Sequence, residues 1–92
     1  SGRSRFQRKV ELAQICIATG HQALAQPILE ELAREIDEYR LERWEASPMV
    51  AHPLVLLYRC LGTPKAGEED RKNQLYSRIC RLDPLQALAV GR

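Results

Sequence analysis

The sequence contains few of the residue patterns that mark metal sites, disulfide frameworks or phosphate-binding loops. Its three cysteines lie 44 and 20 residues apart, spacings that indicate neither paired disulfides nor a zinc site. Its five glycines stand alone, so no glycine-rich phosphate loop is present. We therefore expect no metal, no cofactor, and a reducing, cytoplasmic environment. The sequence assigns no role to the histidines and cysteines, which are His21, His52, Cys16, Cys60 and Cys80.

Strong charge of one sign and long apolar segments are also missing. The 14 Lys and Arg residues against 12 Asp and Glu residues leave a net charge of +2, which argues against a dedicated nucleic-acid-binding protein. The longest stretch without formal charge, residues 12–29, includes glutamines, a glycine and a proline and predicts no membrane insertion. At 92 residues the chain suffices for one small domain but not for a large enzyme. Because it begins with Ser1 and Gly2, without Met, we interpret residues 1–92 as one domain of a longer protein, with Ser1 and Gly2 as a cloning remnant.

Strand signals are almost absent, and the apolar periodicity predicts an all-α fold of four or five helices. Ser4, Ser47 and Asp83 are the expected N-caps. Gly20 is the expected left-handed residue after the first helix. The helices are predicted over residues 4–19, 21–39, 48–61, 68–82 and 84–90, with Pro48 as the first residue of the third helix.

Two residues leave alternatives open. Pro27 predicts a local kink in the second helix, unless that helix begins only at Gln26. Trp44, the only tryptophan, lies in an acidic linker over residues 41–46. It either closes the core below the first two helices or anchors a partner protein, and we favour core closure.

The apolar surface of the predicted helices exceeds what one small domain can cover. In the first helix, two neighbouring apolar rows form a stripe wider than one partner helix. The third helix is apolar almost all round, and such a helix must be covered on every side. The first two helices also have the shape of one tetratricopeptide unit, and a single helical repeat cannot bury its own face. These features predict self-association.

Charge is unevenly placed along the chain. Residues 3–9 carry four basic side chains and no acidic one, whereas residues 30–45 carry seven acidic side chains and three arginines. Either these patches join copies of the chain head to tail, or they are a solvated and functionally silent surface.

No set of side chains suggests catalysis. His52 and Cys60 are eight residues apart on one helix, about 80° and roughly 12 Å from each other, which is too far for a thiolate–imidazole pair. The carboxylates of the second helix alternate with arginines at a spacing typical of a solvated helix surface. We expect a protein without enzyme activity.

Five ordered sequence blocks cover nearly the whole chain. They are VELAQICIATG at residues 10–20, ALAQPILEEL at 23–32, LERWE at 41–45, LLYRC at 56–60 and LYSRICRLDP at 75–84. In this order they resemble the C-terminal domain of TssA proteins, also called ImpA or VasJ, of bacterial type VI secretion. The resemblance implies a cytoplasmic, non-enzymatic assembly protein. It also implies a domain that multimerises into a ring, often two-layered, associated with the baseplate and the growing tube and sheath.

The residues and the resemblance together predict a multimerisation module, a homo-oligomer that binds no nucleic acid. We expect its subunit contacts to come mainly from the third helix. The first alternative is a monomeric helical-repeat adaptor that holds a peptide segment in its groove. A nucleic-acid-binding domain that uses the basic N-terminus is the second. The predicted contact residues are Trp44, Val50, Leu54, Val55, Leu57, Tyr58 and Leu61.

Overall fold

The computed structural model describes residues 1–90, which contain five α-helices, one short 3-10 helix and no strand. The predicted all-α fold is confirmed, and each helix boundary lies within two residues of its predicted position. The α-helices are α1 (Gly2–Ala18), α2 (Gln22–Glu38), α3 (Ser47–Leu61), α4 (Glu69–Leu82) and α5 (Pro84–Ala89), and the 3-10 helix is Leu41–Arg43.

The helices form a stack in which each packs on its neighbour in the chain. Helix α1 packs on α2, α2 on α3, and α3 on α4, while α5 packs on both α3 and α4. The stack is elongated, with principal extents of 38 × 29 × 23 Å. Among the described residues, two pairs of helices form hairpins, α1 with α2 and α3 with α4, and α5 is the last helix.

The starts of two helices differ from the predicted caps. Helix α1 is capped by Ser1, whose Oγ accepts a hydrogen bond from the Ser4 N–H at 3.2 Å. The prediction of Ser4 as the cap is wrong because Ser1 lies three residues earlier, at the spacing an N-cap side chain needs. Helix α3 begins at Ser47, so Ser47 is the first helical residue and not the predicted N-cap. The residue before the helix is Ala46, which makes no side-chain hydrogen bond to the helix start. Pro48 is then the second helical residue, a position whose N–H also has no partner within the helix.

Three other local predictions can be compared with the structure. Gly20 has φ +79°, the left-handed conformation expected after α1. Asp83 caps α5 as predicted, because its Oδ1 accepts a hydrogen bond from the Leu85 N–H at 3.1 Å. Helix α2 begins at Gln22 and continues through Pro27, so the alternative start at Gln26 is wrong. Pro27 lies one turn from the helix start and is exposed, where water can bond the carbonyl it leaves unpaired.

Helix α3 is the centre of the core. Its apolar side chains are covered by other helices of the same chain, mainly α2 and α4. The prediction that a helix apolar all round must be covered on every side therefore holds, but the cover comes from within one subunit. The buried core residues are Phe6, Val10, Ala13 and Cys16 of α1, Ala25, Leu29, Leu32 and Ile36 of α2, Val50, Ala51, Pro53, Leu54, Val55, Leu56 and Leu57 of α3, Ile79 of α4 and Ala87 of α5.

Candidate subunit interface

Four of the predicted subunit contacts lie in the core of the single chain. Val50, Leu54, Val55 and Leu57 are at most 4% exposed and pack in the same cluster as α1 and α2. Side chains enclosed to this degree have almost no surface to offer a partner, so the burial within one subunit does not support a direct contact of these four with a second subunit, which stays a prediction. The sequence showed an apolar helix but not which elements of the same chain would enclose it.

Tyr58 and Leu61, at the end of α3, are half-buried. The Tyr58 ring lies 5.7 Å from the ring of Tyr76, centroid to centroid, and the Lys72 ammonium lies 4.6 Å above it. A cation over an aromatic face is attracted by the ring electrons. Much of the Tyr58 surface is thus used within the subunit, and its contact with a second copy stays a prediction.

Trp44 does not close the core. Its side chain is 78% exposed, so the interpretation favoured from the sequence is wrong. The 3-10 turn explains this: Leu41 packs against the core, and Trp44, whose N–H bonds the Leu41 carbonyl at 3.0 Å, follows at its solvent-exposed end. A role for Trp44 as a partner anchor stays a prediction.

Large apolar side chains remain uncovered at three places on the surface. Leu12 and Ile15 of α1 are 50% and 60% exposed, and Leu24, near the start of α2, has a similar exposure. Leu85 and Leu88 of α5 are 77% and 76% exposed. The third place holds the exposed aromatic residues Tyr39 and Trp44. Several large apolar side chains exposed close together in the sequence mark an interaction site more often than a single exposed leucine does.

The basic N-terminus and the acidic segment meet within one subunit. Arg3 forms a hydrogen-bonded ion pair with Glu45, and its Nε lies 3.1 Å from a Glu45 carboxylate oxygen. The hydrogen bond from Arg3 lowers the pKa of Glu45. Lys9 lies 3.4 Å from Glu31 and 3.5 Å from Glu35. Part of the complementarity that suggested head-to-tail contacts is therefore used inside the fold.

Arginines of α4 attach that helix to α2 and to the 3-10 turn. Arg78 lies 2.8 Å from Asp37 at the end of α2, and its Nε donates to Glu42 at 2.7 Å. Arg71 forms an ion pair with Glu30 of α2. These ion pairs connect α4 to α2 and to the 3-10 turn.

A groove between α1 and α3 is the place where the adaptor alternative would hold a peptide. The cavity has a volume of about 540 Å³ and is lined in part by Val10, Met49 and His52. His52 is half-buried, and its Nε2 lies 3.2 Å from the side-chain nitrogen of Gln14. Burial lowers the pKa of His52, and the charge of Arg59 lowers it further.

The remaining candidate chemical residues are dispersed. His21 follows α1, with its Nδ1 2.8 Å from the Thr19 hydroxyl. The three cysteines are free thiols, and burial raises the pKa of Cys60. Within residues 1–90 no group of three or more His, Cys, Asp or Glu side chains is arranged to hold a metal ion.

A family model described as "Type VI secretion, EvfE, EvfF, ImpA, BimE, VC_A0119, VasJ" matches residues 1–53, from the start of α1 into the first half of α3. No curated protein and no solved structure matches the chain. In the part of the chain that the structure describes, no helix is long and apolar enough to cross a membrane. Since the match covers more than half of the 92 residues, in agreement with the resemblance read from the five sequence blocks, the chain belongs to the TssA/ImpA/VasJ family of type VI secretion and has a TssA-type C-terminal domain.

Proposed function

We propose that this domain is the multimerisation module of a type VI secretion TssA protein and that it self-associates into a ring of one or two layers. The observation that carries the proposal is the apolar surface left uncovered on two helices, at Leu12 and Ile15 on α1 and at Leu85 and Leu88 on α5. The core itself is complete, so these side chains are not needed to fold one copy.

The accessible surface of one chain is larger than expected for a compact monomer, which supports the proposal that one copy leaves part of its surface uncovered. The chain exposes 6033 Å², whereas a compact monomer of 10.5 kDa is expected to expose about 5,400 Å². A stack of helices with open ends has more surface than a closed bundle.

The energy available from these side chains suits assembly by many contacts. Burying Leu12, Ile15, Leu85 and Leu88 against a neighbour would contribute about 4–8 kcal/mol, given their exposed fractions. Association itself costs an estimated ~4–15 kcal/mol in lost freedom. One contact is therefore weak, while a closed ring gives each subunit two contacts and is correspondingly firmer.

The ring would act through multivalency. Other domains of the same protein, carried on each subunit, would make many weak contacts with baseplate, tube and sheath proteins, and these add up to one stable attachment. Trp44 and Tyr39, which are both exposed, are our candidate residues for one such partner. The proposed role is cytoplasmic and non-enzymatic and needs no cofactor, nucleic acid or membrane insertion.

A monomeric peptide-binding adaptor is the second candidate. The groove between α1 and α3 favours it, because an apolar floor at Phe6 and Val10 is edged by the side chains of Gln7, Gln14 and Gln86. Amide side chains of this kind can bond the backbone of an extended segment. In this case the free chain would remain a monomer.

Light scattering coupled to size-exclusion chromatography separates the two functions. A multimerisation module should elute with a mass several times 10.5 kDa, rising with the concentration loaded. A mass of 10.5 kDa at every concentration would contradict the proposal and favour the adaptor. Arg34→Gln, at an exposed polar position on α2, is a control that should leave the mass unchanged.

A further inference from the structure

We propose that copies of this chain join head to tail, with α5 of one copy packed against the outer face of α1 of the next. The α5 face consists of Leu85 and Leu88. The α1 row consists of Arg5, Arg8, Leu12, Ile15 and Thr19. This inference presupposes the self-association proposed above and names the two surfaces that carry it.

Helix α5 is held firmly from the side opposite its leucines. Ala87 is buried against the domain, and the Gln86 side chain donates a hydrogen bond to the Pro48 carbonyl at 3.0 Å. Arg59 donates to the Ala89 carbonyl at 3.2 Å, and Asp83 caps the first turn. A six-residue helix fixed in this way presents its two leucines in one defined direction, which lowers the entropy lost on docking.

The α1 row is a continuous exposed stripe. Its five residues are spaced by three, four, three and four, which places them on one side of the helix, and all five are exposed. This is the spacing with which a helix receives another helix along a seam. The half nearest the turn, Leu12 and Ile15, is apolar, and the half nearest the N-terminus carries Arg5 and Arg8.

Charge argues against pairing like faces. Two α1 rows packed together would bring four guanidinium groups into one interface with no acid in either row, and desolvating unpaired charge is unfavourable. Within residues 1–90, neither Arg5 nor Arg8 forms an ion pair. Helix α5 has no charged residue, and the acid that flanks it is its cap, Asp83. Pairing α5 with the α1 row therefore covers both apolar patches without burying like charges together.

The two surfaces lie on different helices, and their pairing is an open-ended contact. Helix α1 packs on α2, whereas α5 packs on α3 and α4. A contact between two different surfaces leaves the pair with one free surface of each kind, the α1 row of one copy and the α5 face of the other. Such contacts repeat until the rotation closes a ring, or else they extend as a filament.

Two double variants test the pairing. In the first, Leu85→Gln and Leu88→Gln block the α5 face; in the second, Leu12→Gln and Ile15→Gln block the α1 row. Glutamine is a good helix former, and the four side chains are half or more exposed, so both variants should fold. Ser77→Gln, at an exposed position on α4, is the matched control. Circular dichroism checks folding, and an alanine pair at the same positions serves as a second set if either glutamine pair unfolds.

The masses of the variants, alone and mixed, decide the outcome. We expect the control to keep the parent's mass, each blocked variant alone to be a monomer, and an equimolar mixture to form a dimer of twice 10.5 kDa, because each variant retains the surface that the other lacks. A blocked variant that keeps the parent's mass, or two folded monomers that do not combine, would overturn the pairing while leaving self-association intact. A parent that is itself a monomer would contradict the proposed function instead.

Discussion

Leu57 and Leu88 lie on different helices, and truncating each of them to alanine distinguishes the contribution of the core from that of the proposed interface. Leu57 is 1% exposed, at the centre of α3, whereas Leu88 is 76% exposed, on α5. Leu57→Ala should cost about 2–5 kcal/mol of unfolding free energy, because a buried side chain is lost and a cavity remains. A domain of 92 residues has only about 5–14 kcal/mol in total. A loss of about 3 kcal/mol should lower the Tm by roughly 12–24 °C.

Leu88→Ala should have the opposite pattern. In a single subunit its cost should stay within about 0.5 kcal/mol, since a mostly exposed side chain makes few internal contacts. Each subunit contact, however, should lose about 1–2 kcal/mol, which weakens association by roughly 5- to 30-fold.

Urea denaturation at low protein concentration measures the stability of one subunit, and sedimentation velocity at high concentration measures assembly. We expect Leu57→Ala to shift the urea midpoint strongly and Leu88→Ala to reduce the mass without shifting the midpoint. The assignment of core and surface would be refuted if Leu57→Ala kept its urea midpoint and lost assembly. It would equally be refuted if Leu88→Ala lost more than about 2 kcal/mol of stability at an unchanged mass.

Three further results should follow from the structure. Burial, aided by the charge of Arg59, lowers the pKa of His52. The contribution of the neutral His52 side chain to stability is therefore complete above the usual pKa of 6.5 and is lost as the pH falls through the lowered pKa. His52→Gln should flatten the pH dependence of the urea midpoint in this range, and an unchanged profile would contradict the assignment. Asp83→Ala should remove the cap of α5, cost about 1 kcal/mol and weaken self-association, while Asp83→Asn should keep most of both; equal losses in the two variants, measured by urea denaturation and by mass, would argue against a capping role. Gly62 has φ +55° and ψ −138°, and no atom lies within 4 Å of an added Cβ, so Gly62→Ala should lose on the order of 1–3 kcal/mol through backbone strain alone; a neutral effect on the Tm would show that the turn relaxes freely.

The helices were predictable because their signals are local. Apolar periodicity predicts the helices, Gly20 marks the end of α1 and Asp83 marks the start of α5. The structure confirms both positions. Local signals also competed: Ser1 and Ser4 are both good caps, and only the folded helix shows which one bonds an N–H. The family resemblance, read from blocks along the whole chain, is confirmed by the match over residues 1–53.

The candidate interface was harder to predict because it depends on which apolar side chains remain uncovered. An all-round apolar α3 looks the same in sequence whether α2 and α4 or a second copy covers it. Leu85 and Leu88 were missed because a six-residue helix is too short to show a periodic pattern. The exposed rows of α1 were foreseen as too wide for one partner helix, and Leu12 and Ile15 are indeed half or more exposed.

Long-range charge pairs were also beyond the sequence. Arg3 and Glu45 are 42 residues apart, and their meeting depends on how the 3-10 turn returns the chain to the start of α1. Patches that are complementary in sequence can therefore neutralise each other inside one subunit, as Lys9 and Glu35 also do. Of the four basic side chains in residues 3–9, Arg5 and Arg8 form no ion pair within residues 1–90 and remain to influence contacts between copies.

Sedimentation equilibrium of the unmodified chain over a wide range of concentrations tests most directly whether neighbouring copies cover the leucines of α5 and the α1 row. The account predicts a weight-average mass that rises from near 10.5 kDa at the lowest concentrations to several times that value, and a smaller rise for the variant with Leu85→Gln and Leu88→Gln. A mass that stays at 10.5 kDa throughout, identical in the parent and the variant, would contradict it.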